Sequence, residues 1–388
     1  MKRIYLDYNA TTPFSPEVKN FYIQQLENFA NGSSLHEDGR SVAKTIEKAR
    51  QQVADLVNAT PQEIIFTSGG SESNNTVLNT MAALSQKKGN NLIVTTAIEH
   101  PCVLEASKRL QQQFNIEVIY LPVDRDGLVL QEEYQAALAR KPLLVSIMTA
   151  NNEIGTVQDI KTLCKMAHNA GSLFHTDAVQ AAGKIPVDLK EWDVDYATFS
   201  SHKIYGPKGI GALFIKKGCP IEPLIRGGHQ EHGLRAGTYN GPAIAAYGLA
   251  AELAKKDLTE YKTHTGSLRK NLKEGLLASI PEIRINGHPT QVLPNTLNVS
   301  FPGAEGEAIL LHLDLMGISA STGSACASAS LDPSHVLMAT GLGPELAHGS
   351  IRFSFGKYNT QEDVDFILKN FPPIIERLRK MSTVSYSK

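Results

Sequence analysis

Short apolar runs that each end in polar or glycine residues recur along the first half of the chain, and this pattern most constrains its fold. The runs are the segments 63–68, 92–96, 143–148, 172–176 and 196–199. Helix-like stretches lie between them, such as 102–113 and 157–170. Strands that alternate with helices predict an α/β fold with a mostly parallel sheet covered on both faces. The polar strand ends would then meet at one edge, where open sheets of this kind bind ligands.

The C-terminal part of the chain predicts a second, smaller α/β domain. Residues 256–280 carry apolar residues at three- to four-residue spacing, which is typical of an amphipathic helix and suits a connection between domains. Residues 295–301 alternate like a strand. At 388 residues the chain is long enough for about two domains. We expect a large domain over 15–256 and a small domain made of 1–14 and 257–388.

The composition excludes several classes of protein. Lys and Arg number 38 against 39 Asp and Glu, so the net charge of -1 gives no overall field to attract nucleic acid or a membrane surface. No apolar stretch approaches the ~18 residues of a membrane span, and Asp7 lies where a signal peptide would be apolar. The cysteines are too far apart for a Cys-x-x-Cys metal pair or a disulfide framework; they are Cys102, Cys164, Cys219 and Cys326. We therefore expect a cytoplasmic protein with free thiols, no metal, and no direct contact with nucleic acid or a membrane.

The segment 195–208 places a lysine at the carboxyl end of a predicted strand. Lys203 follows Ser-Ser-His and precedes Ile204 and Tyr205, so its stem could lie among apolar groups. Partial desolvation favours the neutral amine, which is the form that attacks an aldehyde. Such a lysine suggests pyridoxal phosphate (PLP) as cofactor. For a single lysine, a solvated surface position is the common alternative.

Two other segments carry groups that this cofactor needs. Residues 67–73 follow a strand and open a helix, so backbone N–H groups and the Ser71 hydroxyl could bind a phosphate. Asp177 ends another strand and could keep a pyridine nitrogen protonated, and Gln180 could reach the phenolic oxygen of the ring. The alternatives are an ordinary turn with a serine cap at Ser71 and a helix N-cap at Asp177.

Three further side chains are candidates for the chemistry. His100 could stack on a ring and move protons near neutral pH, or be a structural loop residue. Residues 321–330 carry no bulky side chain, so the thiol of Cys326 could move between a substrate and an acceptor, or be incidental in a polar loop. Arg352 lies in an alternating segment and could bind a substrate carboxylate, or form a surface ion pair.

Together these segments resemble the PLP-dependent cysteine desulfurases of the NifS/IscS type, in the class-V aminotransferase family. The resemblance extends nearly from end to end. Its motifs are Tyr5-Leu-Asp-Tyr-Asn-Ala-Thr-Thr-Pro13, Asn152-Glu-Ile-Gly155, His175-Thr-Asp-Ala-Val-Gln180, Ser200-Ser-His-Lys203, Gly323-Ser-Ala-Cys326 and Ser350-Ile-Arg-Phe-Ser354. It implies the fold type I of PLP-dependent transferases, the aspartate-aminotransferase type.

The resemblance also implies a role for each candidate residue. Lys203 corresponds to the Schiff-base lysine, Cys326 to the nucleophile that takes the sulfur, and His100 to the histidine stacked on the ring. Asp177 corresponds to the partner of the pyridinium nitrogen and Gln180 to the partner of the phenolate. The positions that contact the phosphate are Gly70, Ser71, Ser200, His202 and, from the other subunit of a homodimer, Thr238. The positions that bind the substrate carboxylate are Asn152 and Arg352.

The chain departs from the family pattern at three places. Ser71 stands where threonine is frequent, and Ser201 stands where glycine is usual before the histidine. The chain also ends soon after its last predicted helix, short of the tail with which relatives bind a scaffold protein. We therefore expect that scaffold contact to differ.

The implied reaction converts L-cysteine to L-alanine and leaves the sulfur on Cys326 as a persulfide. An acceptor protein would take this sulfur for iron–sulfur cluster assembly or tRNA thiolation. The alternatives are a selenocysteine lyase on the same scaffold, an aminotransferase that would not need Cys326, and a non-catalytic partner-binding protein. The last is disfavoured because every chemical position is filled.

Overall fold

The computed structural model of the protein describes residues 3–322 and 332–381. The strands are β1 (Ile4–Tyr5), β2 (Ile64–Thr67), β3 (Leu92–Thr96), β4 (Glu117–Leu121), β5 (Leu144–Ser146), β6 (Leu173–Asp177), β7 (Tyr196–Ser200), β8 (Gly211–Ile215), β9 (Arg284–Asn286), β10 (Thr296–Ser300), β11 (Ile318–Ser319), β12 (Ser321–Thr322) and β13 (Ser350–Ser354). The helices are α1 (Pro16–Gln25), α2 (Glu37–Leu56), α3 (Gly70–Lys88), α4 (Pro101–Phe114), α5 (Gln131–Ala139), α6 (Ile160–Asn169), α7 (Leu189–Trp192), α8 (Gly241–Ser279), α9 (Gly306–Leu315), α10 (His335–Ala339), α11 (Pro344–His348), α12 (Gln361–Asn370) and α13 (Pro372–Met381).

A seven-stranded sheet with the order β2-β8-β7-β6-β5-β3-β4 forms the centre of the larger part of the molecule. The strands from β7 to β4 pair in parallel. They read as continuous apolar runs because helices cover both faces, and β3 and β7 are buried at every position. The predicted α/β fold with a mostly parallel sheet is therefore confirmed.

Strand β8 is the exception, because it pairs antiparallel with both of its neighbours, β2 and β7. Only the ten residues 201–210 connect β7 to β8, and they include a 3-10 turn at 201–203. A parallel crossover needs a dozen or more residues, so the chain can only turn back beside the strand that it has just left. This short return keeps residues 200–203 at the sheet edge.

The C-terminal part builds a second sheet, with the order β12-β13-β10-β9 and antiparallel pairing throughout. Strand β1 from the N-terminus pairs with β11, beside this smaller sheet. Its core contains Phe301, Phe353 and Phe371, whose rings meet edge to face. The predicted residue limits of the two domains stay a prediction.

Helix α8 connects the two cores and is 39 residues long, which corresponds to about 58 Å. Its first half buries small residues such as Ala245 and Ala246 against the larger core. Its second half buries Leu268, Leu272 and Leu276 in the smaller core. The sequence predicted only the second half, since a stretch that is buried on all sides lacks the amphipathic period.

The carboxyl ends of β2, β3, β6 and β7 meet at one edge of the large sheet, because these strands run in the same direction. Residues 68–71, 97–100, 177–180 and 200–203 follow those ends directly. This edge is the place where the sequence predicted the candidate side chains to gather. Of the helices in the described ranges, none has the length and apolar character needed to cross a membrane.

Candidate active site

A cavity of about 400 Å³ lies at this sheet edge, between the large sheet and strand β13 of the smaller one. Most of the residues predicted for the site line it: Gly70, Ser71, His100, Asn152, Asp177, Gln180, Ser200, His202, Lys203 and Arg352. Two predicted residues are not placed there. Cys326 lies outside the described residues, and Thr238 is exposed and lines a separate depression.

The N-terminus of α3 forms one wall of the cavity. Gly69 precedes the helix with φ +156°, and no side chain caps this end in the described structure. A Cβ atom at Gly70 would lie 2.9 Å from Val179 Cγ2, which is too close, so only glycine fits at this position without displacing Val179. The uncapped N–H groups, the helix dipole and the Ser71 hydroxyl make this wall suitable for an anion such as a phosphate.

His202 lies on the same side of the cavity. Its Nδ1 is 3.1 Å from Thr11 Oγ1. Burial, reinforced by the positive charge of Lys203 and other nearby lysines, lowers the pKa of His202 to about 3. The imidazole is therefore neutral near pH 7, so it can serve an anion as a hydrogen-bond donor but not as a counter-charge.

Lys203 closes the 3-10 turn after β7 and extends its amine to the N-terminal segment. Its Nζ donates to the carbonyl oxygens of Asn9 at 2.5 Å and Ala10 at 2.8 Å. These backbone acceptors hold the amine at the cavity wall. The sequence identified the lysine but not Asn9, which comes from a segment far away along the chain.

Asp177 ends β6 with its carboxylate fixed by two donors. Its Oδ2 accepts from Asn74 Nδ2 at 2.7 Å and its Oδ1 from the Val179 N–H at 3.0 Å. Turns and no α-helix follow it, so the alternative of a helix N-cap is not what the structure contains. Each carboxylate oxygen keeps a lone pair, which suits a protonated ring nitrogen. Asn74, missed by the sequence reasoning, lies one helical turn after Ser71 on α3, and that spacing could have identified it.

His100 is the N-cap of α4. Its Nδ1 accepts from the Cys102 N–H at 3.2 Å and lies 3.0 Å from Cys102 Sγ. An Nδ1 that accepts a backbone N–H leaves the proton of the neutral ring on Nε2. Burial lowers the pKa of His100, against an opposing effect of Asp177. The ring is thus neutral, with Nε2 as its proton donor.

Arg352 lies in the middle of β13 and is 1% exposed, so the alternative of a surface ion pair is wrong. Its Nη2 donates to Asp7 Oδ1 at 2.6 Å and its Nη1 to the carbonyl oxygen of Asn152 at 3.0 Å. Its Nε has no partner in the described structure. A buried guanidinium at a cavity wall whose Nε–H has no partner in the described structure is suited to bind a carboxylate ligand.

Glu153, the neighbour of Asn152, is a second buried carboxyl at the cavity. It accepts from Ser334 Oγ at 2.5 Å. Burial raises the pKa of Glu153 to about 7, against the smaller opposing effects of Ser334 and Arg352. Ser334 is three residues beyond 331, the last position of a stretch outside the described residues that includes Cys326.

The described residues before this stretch also lie at the site. Ser321 in β12 pairs directly with Arg352 in β13. The chain therefore enters the segment beside one cavity residue and leaves it beside another. Cys102, Cys164 and Cys219 are free thiols, and no group of three His, Cys, Asp or Glu side chains in residues 3–322 and 332–381 could hold a metal ion.

The segment that carries Thr238 is anchored by a buried ion pair. Arg50 Nη1 lies 2.6 Å from Glu231 Oε2, and both side chains are 2% exposed. Glu231 and His232 adopt left-handed backbone conformations, with φ of +47° and +58°. Thr238, seven residues after Glu231, is exposed and lines the separate depression, not the cavity of its own chain.

Comparisons with known proteins agree on one family. Residues 4–367 match the family model of the class-V aminotransferases. A cysteine desulfurase IscS of Clostridium botulinum strain Hall is 47% identical over 384 residues, which are 98% of this chain and 96% of that protein. A solved NifS-like protein matches 97% of this chain and all of its own, with a TM-score of 0.91 and 41% identity. A solved SspA in complex with cysteine matches 92% of this chain and all of its own, with a TM-score of 0.81 and 32% identity.

Proposed function

The chain belongs to the class-V aminotransferase family, in its NifS/IscS-type group of cysteine desulfurases, and on this premise we propose that it binds PLP and removes the sulfur of L-cysteine. The observation that carries the proposal is the single cavity in which Lys203, Asp177 and Arg352 meet. An amine, a ring-nitrogen partner and a carboxylate binder are the three groups that this chemistry needs.

The residues present fit the cofactor. The uncapped start of α3, with Gly70 and Ser71, would hold its phosphate together with Ser200 and His202. Asp177 would hold its ring nitrogen protonated and Gln180 would donate to its ring oxygen. Lys203 would hold its aldehyde carbon. When bound, the group supplies an electron sink for the bonds at the α-carbon of the substrate.

Different side chains of this protein would then bind L-cysteine, remove its α-proton and donate hydrogen bonds to it. Arg352 binds the substrate carboxylate with the help of Asn152, and so orients the α-carbon and the sulfur. Lys203 Nζ takes the proton from the α-carbon. His100, whose neutral ring carries its hydrogen on Nε2, donates a hydrogen bond from that atom to the reacting groups. A SspA that is solved in complex with cysteine, and resembles this chain over 92% of its length, supports cysteine as the substrate.

We assign the sulfur acceptor to Cys326. Its thiolate attacks the substrate sulfur and the carbon–sulfur bond breaks, so that the sulfur stays on Cys326 as a persulfide. The electron pair of the broken bond goes to the carbon part, which takes up a proton and leaves as L-alanine. The contacts of Ser321 with Arg352 and of Ser334 with Glu153, on either side of residues 323–331, support this role. A protein acceptor would then collect the sulfur for iron–sulfur cluster assembly or tRNA thiolation, in the cytoplasm.

We also propose that the enzyme is a homodimer in which Thr238 contacts the phosphate in the neighbouring subunit. An exposed threonine on a firmly anchored segment, outside the cavity of its own chain, supports this arrangement. The proposal differs from an aminotransferase in one respect, since an aminotransferase has no need of Cys326.

The test is the variant Cys326→Ser. It should bind PLP like the wild type, but the production of alanine and sulfide should fall by at least ~100-fold, because a hydroxyl is a poor nucleophile toward sulfur. In the wild type, one turnover without reductant should add the mass of one sulfur atom to the peptide that contains Cys326. The variants Cys102→Ser, Cys164→Ser and Cys219→Ser are the matched controls. Sulfur on one of those three, or full alanine production by Cys326→Ser, would contradict the mechanism.

A further inference from the structure

Lys184 is an amine buried in the wall behind the cavity, and the proposed chemistry does not use it. It is 2% exposed, and its Nζ donates to Gln180 Oε1 at 2.5 Å and to Asn9 Oδ1 at 3.2 Å. Both partners are neutral amide oxygens. Burial, followed by the positive charges of Lys203 and Arg352, lowers the pKa of Lys184 well below its usual range. Burying an amine without an acidic partner costs free energy, so packing alone does not explain why a lysine occupies this position.

The two ends of the Gln180 amide are fixed by different partners. Its Oε1 accepts from Lys184, and its Nε2 donates to the carbonyl oxygen of Asn9 at 2.9 Å. The Lys184 amine faces the oxygen end and the Asn9 carbonyl faces the nitrogen end. Only one of the two flipped orientations of the amide therefore satisfies both partners. Nε2 carries a second hydrogen, and no acceptor for it lies in the described residues. Because Gln180 lines the cavity, that second N–H is available to a ligand there.

Asn9 depends much less on Lys184 than Gln180 does. Asn295 Nδ2 also donates to Asn9 Oδ1, at 3.0 Å. Asn9 Nδ2 donates to Thr296 Oγ1 at 2.8 Å and to the carbonyl oxygen of Asn152 at 3.0 Å. Without Lys184, Asn9 would keep these bonds, whereas the Gln180 oxygen would lose the one partner described for it. The amide would then keep its Nε2 bond to Asn9 but lose the contact that fixes its oxygen end.

We propose that Lys184 is a positioning residue that holds the Gln180 amide so that its N–H points to an anionic ring oxygen of the bound cofactor. This inference rests on the proposed function for the identity of the ligand. A donor amine on the carbonyl side also polarises the amide, which strengthens its N–H as a donor to an anion. Lys184 therefore acts on the cofactor through Gln180 and touches neither the substrate nor the reacting atoms.

The test is a double-mutant cycle on PLP binding with Lys184→Met, Gln180→Leu and the double variant. Lys184→Met should weaken the affinity for PLP about tenfold and shift the visible absorption maximum of the bound cofactor, since the loss of one bond to a charged group has about this effect. In the Gln180→Leu background, Lys184→Met should change neither quantity further. The exposed Lys217→Met is the control and should resemble the wild type. An equal effect of Lys184→Met in both backgrounds would mean that Lys184 has only a structural role.

A second comparison does not require the Lys184→Met chain to fold. Without added cofactor, Gln180→Glu should melt no lower than Gln180→Leu, because Lys184 would compensate the buried carboxylate. A lower melting temperature for Gln180→Glu, by several degrees, would overturn the inference. If the wild type itself bound no PLP, the proposed function would fail, and this second comparison would still decide whether Lys184 pairs with residue 180.

Discussion

At the scale of single residues, Lys203 is the side chain on which the proposed chemistry depends most. Its Nζ already lies at the cavity wall, held by two backbone oxygens. We expect Lys203→Ala to fold normally, because Lys203 lies at the cavity wall and belongs to neither of the two large apolar cores. Borohydride treatment should fix PLP to the wild-type chain and not to the variant, as measured by the mass of the labelled peptide. Lys208→Ala is the matched control, and covalent labelling at Lys208 in the wild type would refute the assignment.

Glu153 gives a prediction about pH. The pKa of Glu153 is raised from 4.5 in the unfolded chain to about 7 in the folded one, so the folded state binds the proton more tightly between these values. The contribution of Glu153 to the free energy of unfolding should therefore fall as the pH rises from 4.5 to 7. Glu153→Gln should lack this fall, and above pH 7 it should be more stable than the wild type by up to about 3 kcal/mol. This limit follows from the pKa difference between 4.5 and about 7, because each pKa unit corresponds to about 1.4 kcal/mol.

Urea unfolding at several pH values measures this difference. The two proteins should be nearly equal at pH 4, where the wild-type carboxyl is protonated in both states. Parallel curves for Glu153→Gln and the wild type from pH 4 to 8 would show that the carboxyl titrates normally.

Several site residues could be predicted from local sequence and others could not. Lys203, Asp177 and Ser71 follow strand ends, and the parallel sheet brings those ends together. Asn9 could not be found in this way, because its contacts with Lys203 and Gln180 join segments that are far apart in the chain. Glu153 reads as a polar loop residue in the sequence, and its burial depends on how the second sheet packs over it.

At the scale of elements, the ion pair of Arg50 and Glu231 joins α2 to the segment before Thr238. Both groups are buried, and Glu231 also accepts from the Phe66 N–H in β2. Arg50→Met should lower the free energy of unfolding by about 3–5 kcal/mol, because it leaves a carboxylate buried without its partner. Thermal or urea unfolding measures the change.

The double variant Arg50→Met/Glu231→Gln should recover part of that loss, since no unpaired charge remains. The exposed pair of Lys161 and Glu191 is the control, and Lys161→Met should leave the free energy of unfolding nearly unchanged. A loss as small as this for Arg50→Met would mean that the buried pair does not anchor the segment.

The element pattern was predictable where periodicity is strong. The parallel strands and helices α4 and α6 follow the predicted runs closely, and the match to a solved NifS-like protein confirms the predicted type I fold. The direction of β8 was not predicted, because it depends on the length of a connection and not on the strand itself. The start of α8 was placed too late, although Asn240, whose side chain accepts from the Ala243 N–H, marks the true N-cap.

At the scale of the whole molecule, the proposed homodimer makes a prediction about mixed subunits. Lys203→Ala and Thr238→Ala chains should each form a poorly active or inactive enzyme. In a mixed dimer, one site would carry both changes and the other would carry neither, because each site takes its lysine from one chain and its threonine from the partner. Refolding an equal mixture of the two variant chains should therefore restore activity, because each mixed dimer would contain about one intact site. If Thr238 served its own chain, both sites would stay damaged and mixing would restore nothing.

The continuous helix α8 has a practical consequence for anyone who wishes to divide this protein. A cut at the predicted domain limit after residue 256 would fall inside α8, between the alanines that bury in one core and the leucines that bury in the other. Each fragment would expose a newly bared apolar surface, and the cut would separate Arg352 from the other residues of the cavity, which run from Asn9 to Lys203. We expect such fragments to aggregate when they are expressed alone. The gene has to be kept whole for the protein to be studied.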